Sequence, residues 1–102
     1  MKYIKANWIH ENPEYPVWLY SELDEALWEI RKIEVYADGA WGFASETEET
    51  GGAMLSLERF PSINDIAADP QFDPAEIEAR EFEEMWIRRL EHPRKVGPSN
   101  IT

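Results

Sequence analysis

Two histidines, no cysteine and 21 acidic residues set the chemistry open to this chain. Nucleophilic catalysis needs a hydroxyl, thiol or amine beside a base that a third group orients. His10 stands next to Glu11, and His92 comes just before Pro93. Neither lies in a glycine-flanked turn near a serine, so His10 is not assigned as a general base and His92 is expected to face the negative end of a helix. With no cysteine there is no thiol nucleophile and no thiolate metal site. Paired carboxylates could cut a glycosidic bond only across a cleft, and with this many acids their nearness in sequence carries no information. The run Glu46-Thr47-Glu48-Glu49-Thr50-Gly51-Gly52 lacks the alternating acids and closing glutamate of a calcium loop. Gly51-Gly52 is too short, and too closely preceded by acids, to cradle phosphate. The expectation is no catalytic residue, no metal and no cofactor.

Binding chemistry is better represented. Acids concentrate in Glu22-Leu23-Asp24-Glu25 and again in Glu46-Thr47-Glu48-Glu49, two stretches that read as connections between strands. Loops carried on a rigid sheet commonly bear binding residues. Glu22, Asp24, Glu25, Glu46, Glu48 and Glu49 are therefore the candidate partner contacts. Trp41, in an aromatic trio with Tyr36 and Phe43, is the candidate anchor, with core packing as its other reading. A formal net charge of −11 repels phosphate backbones and anionic lipid surfaces. It attracts basic proteins, and otherwise serves solubility. The expected partner is a basic protein, with neither nucleic acid nor membrane.

The elements that must position these residues can be read from hydrophobic periodicity. Residues 2–10 alternate, with Ile4, Ala6 and Trp8 on one face and Tyr3, Lys5, Asn7 and Ile9 on the other, which predicts a strand. Glu11-Asn12-Pro13-Glu14 is turn chemistry, so residues 17–22 are expected to return as the second arm of a hairpin. Residues 27–37 form a third strand, whose apolar phase shifts around Arg31-Lys32, as a bulge would cause. Asp38-Gly39 predicts a two-residue hairpin turn into residues 40–45. That register pairs Tyr36 with Trp41 and Glu34 with Phe43, and puts Tyr36, Trp41 and Phe43 on the face opposite Ile33 and Val35. Residues 53–60 are expected to be a short strand, and Ser62 the N-cap of a short helix with Asp65 three residues on. Asp73, Pro74 and Glu76 read as cap, first turn and box of a longer helix. Its apolar stripe is Ala75, Ala79, Phe82, Met85, Trp86 and Leu90, with Ile77 and Ile87 outside it and Glu76–Arg80 and Glu84–Arg88 as flanking pairs.

The predicted fold is α+β: an antiparallel sheet of about four strands packed on a C-terminal helix. It occupies residues 1–91 as one domain, with residues 92–102 as a C-terminal tail. A length of 102 residues suits a single core, and an apolar share of 43% with five Trp, four Tyr and four Phe can fill it without disulfides. The first residues lack the continuous apolar run of a secretory signal, and no stretch approaches a membrane span. A cytoplasmic location is expected.

The segments Trp8-Ile9-His10, Leu19-Tyr20-Ser21-Glu22-Leu23-Asp24 and Glu29-Ile30-Arg31-Lys32-Ile33-Glu34, the Asp38-Gly39 turn and Ala68-Asp69-Pro70-Gln71-Phe72 are similar to those of a family of small uncharacterised bacterial acidic proteins. The resemblance runs over about residues 2–88 and takes in the helix from Glu78 to Trp86. It resembles the immunity-protein kind and brings no established activity with it. The functional expectation is a non-enzymatic acidic protein that neutralises a cognate bacterial toxin domain by occluding its active site. The alternative is a small enzyme or ligand-binding domain around His10, Arg31 and Glu34. A homodimer through the aromatic face is a third reading.

Overall fold

The computed structural model describes residues 1–95. Its first two strands form as their alternation requires. β1 (Lys2–Trp8) pairs antiparallel with β2 (Trp18–Leu23), Asn7 opposite Trp18, and Ile4 and Ala6 are buried on one face. β2 pairs with β3 (Glu29–Val35), and the register slips by one between Glu22/Arg31 and Leu23/Glu29, leaving Ile30 as the extra residue. The bulge thus falls one residue before Arg31, beside its expected place. β4 (Trp41–Ser45) follows β3, and β5 (Glu49–Thr50) forms inside the acidic run expected to be wholly loop.

The β3–β4 hairpin corrects the predicted register. Val35 pairs with Trp41, Glu34 with Gly42 and Ile33 with Phe43. The loop is three residues, Ala37-Asp38-Gly39, closed by bonds from Tyr36 N–H to Ala40 O (2.8 Å) and from Gly39 N–H to Tyr36 O (2.9 Å). Gly39 takes φ 90, and Asp38 Oδ1 accepts from Ala40 N–H. Asp-Gly serves a three-residue loop with a left-handed glycine as well as a two-residue turn. A slip of one residue moves every side chain to the other face. Trp41 and Phe43 therefore share a face with Ile33 and Val35, and the expected aromatic face is divided.

The second correction lies near the C-terminus. Phe72–Ile77 is not the start of the helix but β6, which pairs with the free edge of β1, Pro74 opposite Ala6. Proline is accepted on an edge strand, where its missing N–H disrupts no inner ladder. The sheet therefore has six strands, ordered β5-β4-β3-β2-β1-β6, where about four were expected. The helix, α2 (Ala79–Ile87), begins later, at Glu78, which makes no side-chain cap bond. Of the predicted stripe, Phe82 is fully buried and Met85 and Trp86 pack beside it against Ile33 and Phe43, while Leu90 is exposed. Ile77, expected outside, joins this core from β6. The flanking pairs also differ, since Glu76 is in the sheet and Arg88 bonds Glu91 at 3.1 Å.

The opposite face is covered by the segment that joins β5 to β6. Residues 53–60, predicted as a strand, have no strand structure. They lie against the β2–β3 end of the sheet through Phe60 N–H to Leu27 O (2.8 Å). α1 (Ile63–Ala67) follows as expected, with Ser62 Oγ accepting from Asp65 N–H at 3.1 Å. Beyond α2, His92 O accepts from Trp41 N–H at 2.7 Å and Arg94 Nη1 donates to Gly51 O at 2.9 Å. Residues 92–94 of the expected tail thus dock on β4 and on Gly51 just past β5, and residues 96–102 lie outside the described residues. Among the described residues, no helix is long and apolar enough to cross a membrane.

Candidate binding surface

The two acidic stretches end at the same corner of the sheet. The β2–β3 connection is held tightly: Asp24 Oδ1 accepts from Ala26 N–H and Trp28 N–H, both at 2.9 Å, and Leu27 N–H bonds Asp24 O. Leu27 sits at φ 71, a left-handed conformation that a leucine adopts only under surrounding constraint. The β4–β5 turn is equally fixed, with Ser45 N–H on Glu48 O at 2.8 Å and Thr47 N–H on Ser45 Oγ at 3.2 Å. Between these two rigid turns is a depression of about 460 Å³, lined by Met1, Glu22, Asp24, Ile30, Arg31 and Glu46 among others. A second depression, of about 480 Å³, continues past Met1 and Asp24 to Glu25.

The six candidate acids separate into three kinds. Glu22 is not in a connection, as expected, but in β2, and it is buried at 5% exposure. It accepts from Arg31 Nε and from Tyr3 Oη (2.8 Å). Burial opposes its ionisation, but the bonds from Arg31 and Tyr3 and the positive charge of Arg31 outweigh burial and hold the carboxyl below its ordinary value. Asp24 and Glu48 are engaged as well. Asp24 closes its turn, and Glu48 reaches Arg89 at 3.2 Å. Glu25, Glu46 and Glu49 are exposed and form no ion pair among the described residues. Of the six, these three are available to a partner.

Two arginines explain why this corner is rigid. Arg31 bridges Glu22 and Glu83 while its guanidinium lies 5.0 Å from the ring centres of both Phe82 and Trp86. Arg89 lies over the other side of the helix contact, 4.5 Å from Trp86 and 5.2 Å from Phe43, and ties α2 to Glu48. Stacked guanidiniums keep their carboxylate partners fixed in orientation. α2 and the turn that follows it are therefore bolted to the acidic corner through Arg31–Glu83 and Arg89–Glu48.

The remaining predicted residues take other places. Trp41 is half-buried against the core, with the ring of His92 4.9 Å away, so the docked C-terminal segment flanks the expected anchor. Phe43 is buried under α2, and Tyr36 is buried with Arg94 3.9 Å from its ring. His92 lies past the end of α2, beside Trp41 rather than at a helix terminus. The alternative grouping does not assemble. His10 spends both ring nitrogens on its own loop, accepting from Asn12 N–H at 3.0 Å and bonding Pro16 O at 2.8 Å. Arg31 and Glu34 leave β3 on opposite faces.

Sequence reasoning missed one buried polar centre. Glu29 is 5% exposed and accepts from Ser21 Oγ at 2.6 Å and Ser56 N–H at 2.8 Å, with Lys32 Nζ at 3.6 Å. The signal for it was Ser21, a polar residue set between Leu19 and Leu23 on an otherwise apolar face. The bulge at Ile30 is what turns Glu29 inward to meet it.

Among the described residues no group of three His, Asp or Glu is arranged to hold a metal. No curated protein and no solved structure matches the chain. The family model described as Domain of unknown function (DUF6881) matches residues 2–91, and with six strands and two helices inside that span the chain is a member of this uncharacterised family.

Proposed function

We propose that this chain is a non-enzymatic acidic binding protein of the bacterial cytoplasm, an immunity protein that neutralises a cognate toxin domain by occluding its cationic active site. The observation that carries the reading is the meeting of two rigid acidic turns at one corner, with Glu25 and Glu46 exposed there and without an ion pair among the described residues. A net charge of −11 raises the encounter rate with a basic surface, and fixed turns lower the ordering cost of docking. Close charge pairs of this sort couple by about 1.5–7 kcal/mol in the barnase–barstar complex.

The test takes any basic toxin domain that the genes neighbouring this one encode, and a neighbourhood without one counts against the immunity reading. Co-expression should relieve the growth arrest that protein causes, and the purified pair should associate at a rate that falls steeply with salt. Glu25→Lys with Glu46→Lys should slow association and flatten its salt dependence while dissociation changes less, because rim charges act chiefly on the approach. An association rate indifferent to salt and to both reversals removes the steering mechanism. Failure to relieve the arrest removes the immunity role.

A further inference from the structure

On the sheet face opposite α2 there is a cavity of about 320 Å³ beneath α1. Its floor is Ile4, Ala6 and Leu19, its roof is Phe60 and Ile66, and Phe72 forms the end wall. Two small residues, Ala6 and Ser21, are part of its lining. Both are buried on inner strands of the sheet, and α1 itself buries no residue. The space is open to solvent on the side of Asp65 and Asp69 and mostly apolar within, and sites for small ligands begin at about 300 Å³.

The polar lining is one-sided. Asp65 and Asp69 stand at the rim, and no lysine or arginine lines the space. Asp69 Oδ1 accepts from Gln71 N–H at 2.9 Å, and Asp65 has no ion pair among the described residues. The inner polar group, Ser21 Oγ, gives its proton to Glu29 and has only acceptor capacity left. Each polar side chain lining the cavity is thus an acceptor or an anion. We infer that this cavity binds a small organic ammonium ion with an apolar body, the hydrocarbon between floor and roof and the charged nitrogen at Asp65 and Asp69. The site is separate from the acidic corner and stands or falls independently of the toxin reading.

The probe is 2-phenylethylammonium, titrated into the full chain while backbone amide shifts are followed by NMR. The amides of Ala6, Ser21 and Ile66 should shift saturably with the amine, less with 2-phenylethanol, and not at all with phenylacetate. Asp65→Asn with Asp69→Asn should weaken the amine about three- to tenfold, as loss of two exposed charge contacts would, and leave the alcohol unchanged. Both substitutions are at exposed positions, so the fold is retained and the comparison stands without any core change. Ala6→Leu, which fills the floor, should abolish binding of amine and alcohol together. No saturable shift with the amine, equal binding of phenylacetate, or undiminished amine binding by the double Asn variant would each overturn the assignment.

Discussion

At the scale of single residues, the acids of this chain divide by whether they have a partner, and the division fixes how each responds to substitution. Glu22 is buried and takes bonds from Arg31 and Tyr3, so it acts on the folded state rather than on a partner. Its folded carboxyl ionises below the ordinary value of 4.5, so the stability it contributes is complete above that value and is lost as pH falls through the folded value. Glu22→Gln should cost about 1.5–3 kcal/mol near neutrality, the range for a hydrogen bond to a charged group. The deficit relative to the parent should narrow in acid. Urea melts across pH would check this, and a deficit of constant size down to strong acid would contradict it. Little of this was legible beforehand. The string Glu22-Leu23-Asp24-Glu25 reads as one acidic patch, and only the pairing of β2 with β3 puts Glu22 opposite Arg31 while Glu25 is left in the turn.

At the scale of elements, the first four strands were legible, whereas β5, β6 and the β3–β4 register were not. Alternation in β1 and the turn residues after it were enough to locate the first hairpin, because one face of β1 is apolar and the other mixed. The Asp38-Gly39 loop was located correctly but counted one residue short, since the dipeptide fits two loop lengths and only burial of Phe43 beneath α2 chooses between them. Asp73-Pro74-Ala75-Glu76 carried every local sign of a helix start. The unpaired edge of β1 claimed that segment instead, a tertiary demand that propensity does not contain. Glycines separate the two kinds of turn further. Gly39 has φ 90 and open space around it, so Gly39→Ala should cost only the left-handed strain, about 1–2 kcal/mol. Gly51, at φ 66, would place a Cβ 2.7 Å from the Cα of Gly42, where the backbone of β4 cannot give way. Gly51→Ala should therefore cost clearly more and also loosen Arg94 from Gly51 O. Denaturation midpoints for the two variants give the order directly, and equal losses would mean that Gly42 and Gly51 do not approach so closely.

At the scale of the whole molecule, a charge of −11 opposes compaction by self-repulsion, so each acid without a partner is carried at some expense to stability. Glu22, Asp24 and Glu48 offset that expense through the bonds they make in the fold. Glu25, Glu46 and Glu49 do not; Glu25 and Glu46 line the corner where two braced turns meet, and Glu49 is exposed on β5 just beyond it. Residues kept for binding are often suboptimal for stability, and the two roles make opposite predictions here. If these three acids serve a partner, reversing them to lysine should leave the melting temperature unchanged or raise it by relieving repulsion, while association with the basic partner weakens. The gain should shrink with added salt, since repulsion between exposed charges is screened beyond about 10 Å at 0.1 M. Glu48→Lys should behave differently, lowering stability by setting a positive charge beside Arg89. Melting curves for the four reversals, each at low and high salt, separate the cases. A loss of stability on reversing Glu25, Glu46 and Glu49 comparable to that at Glu48 would show that they brace the corner, and the negative surface would then be a consequence of the fold rather than its purpose.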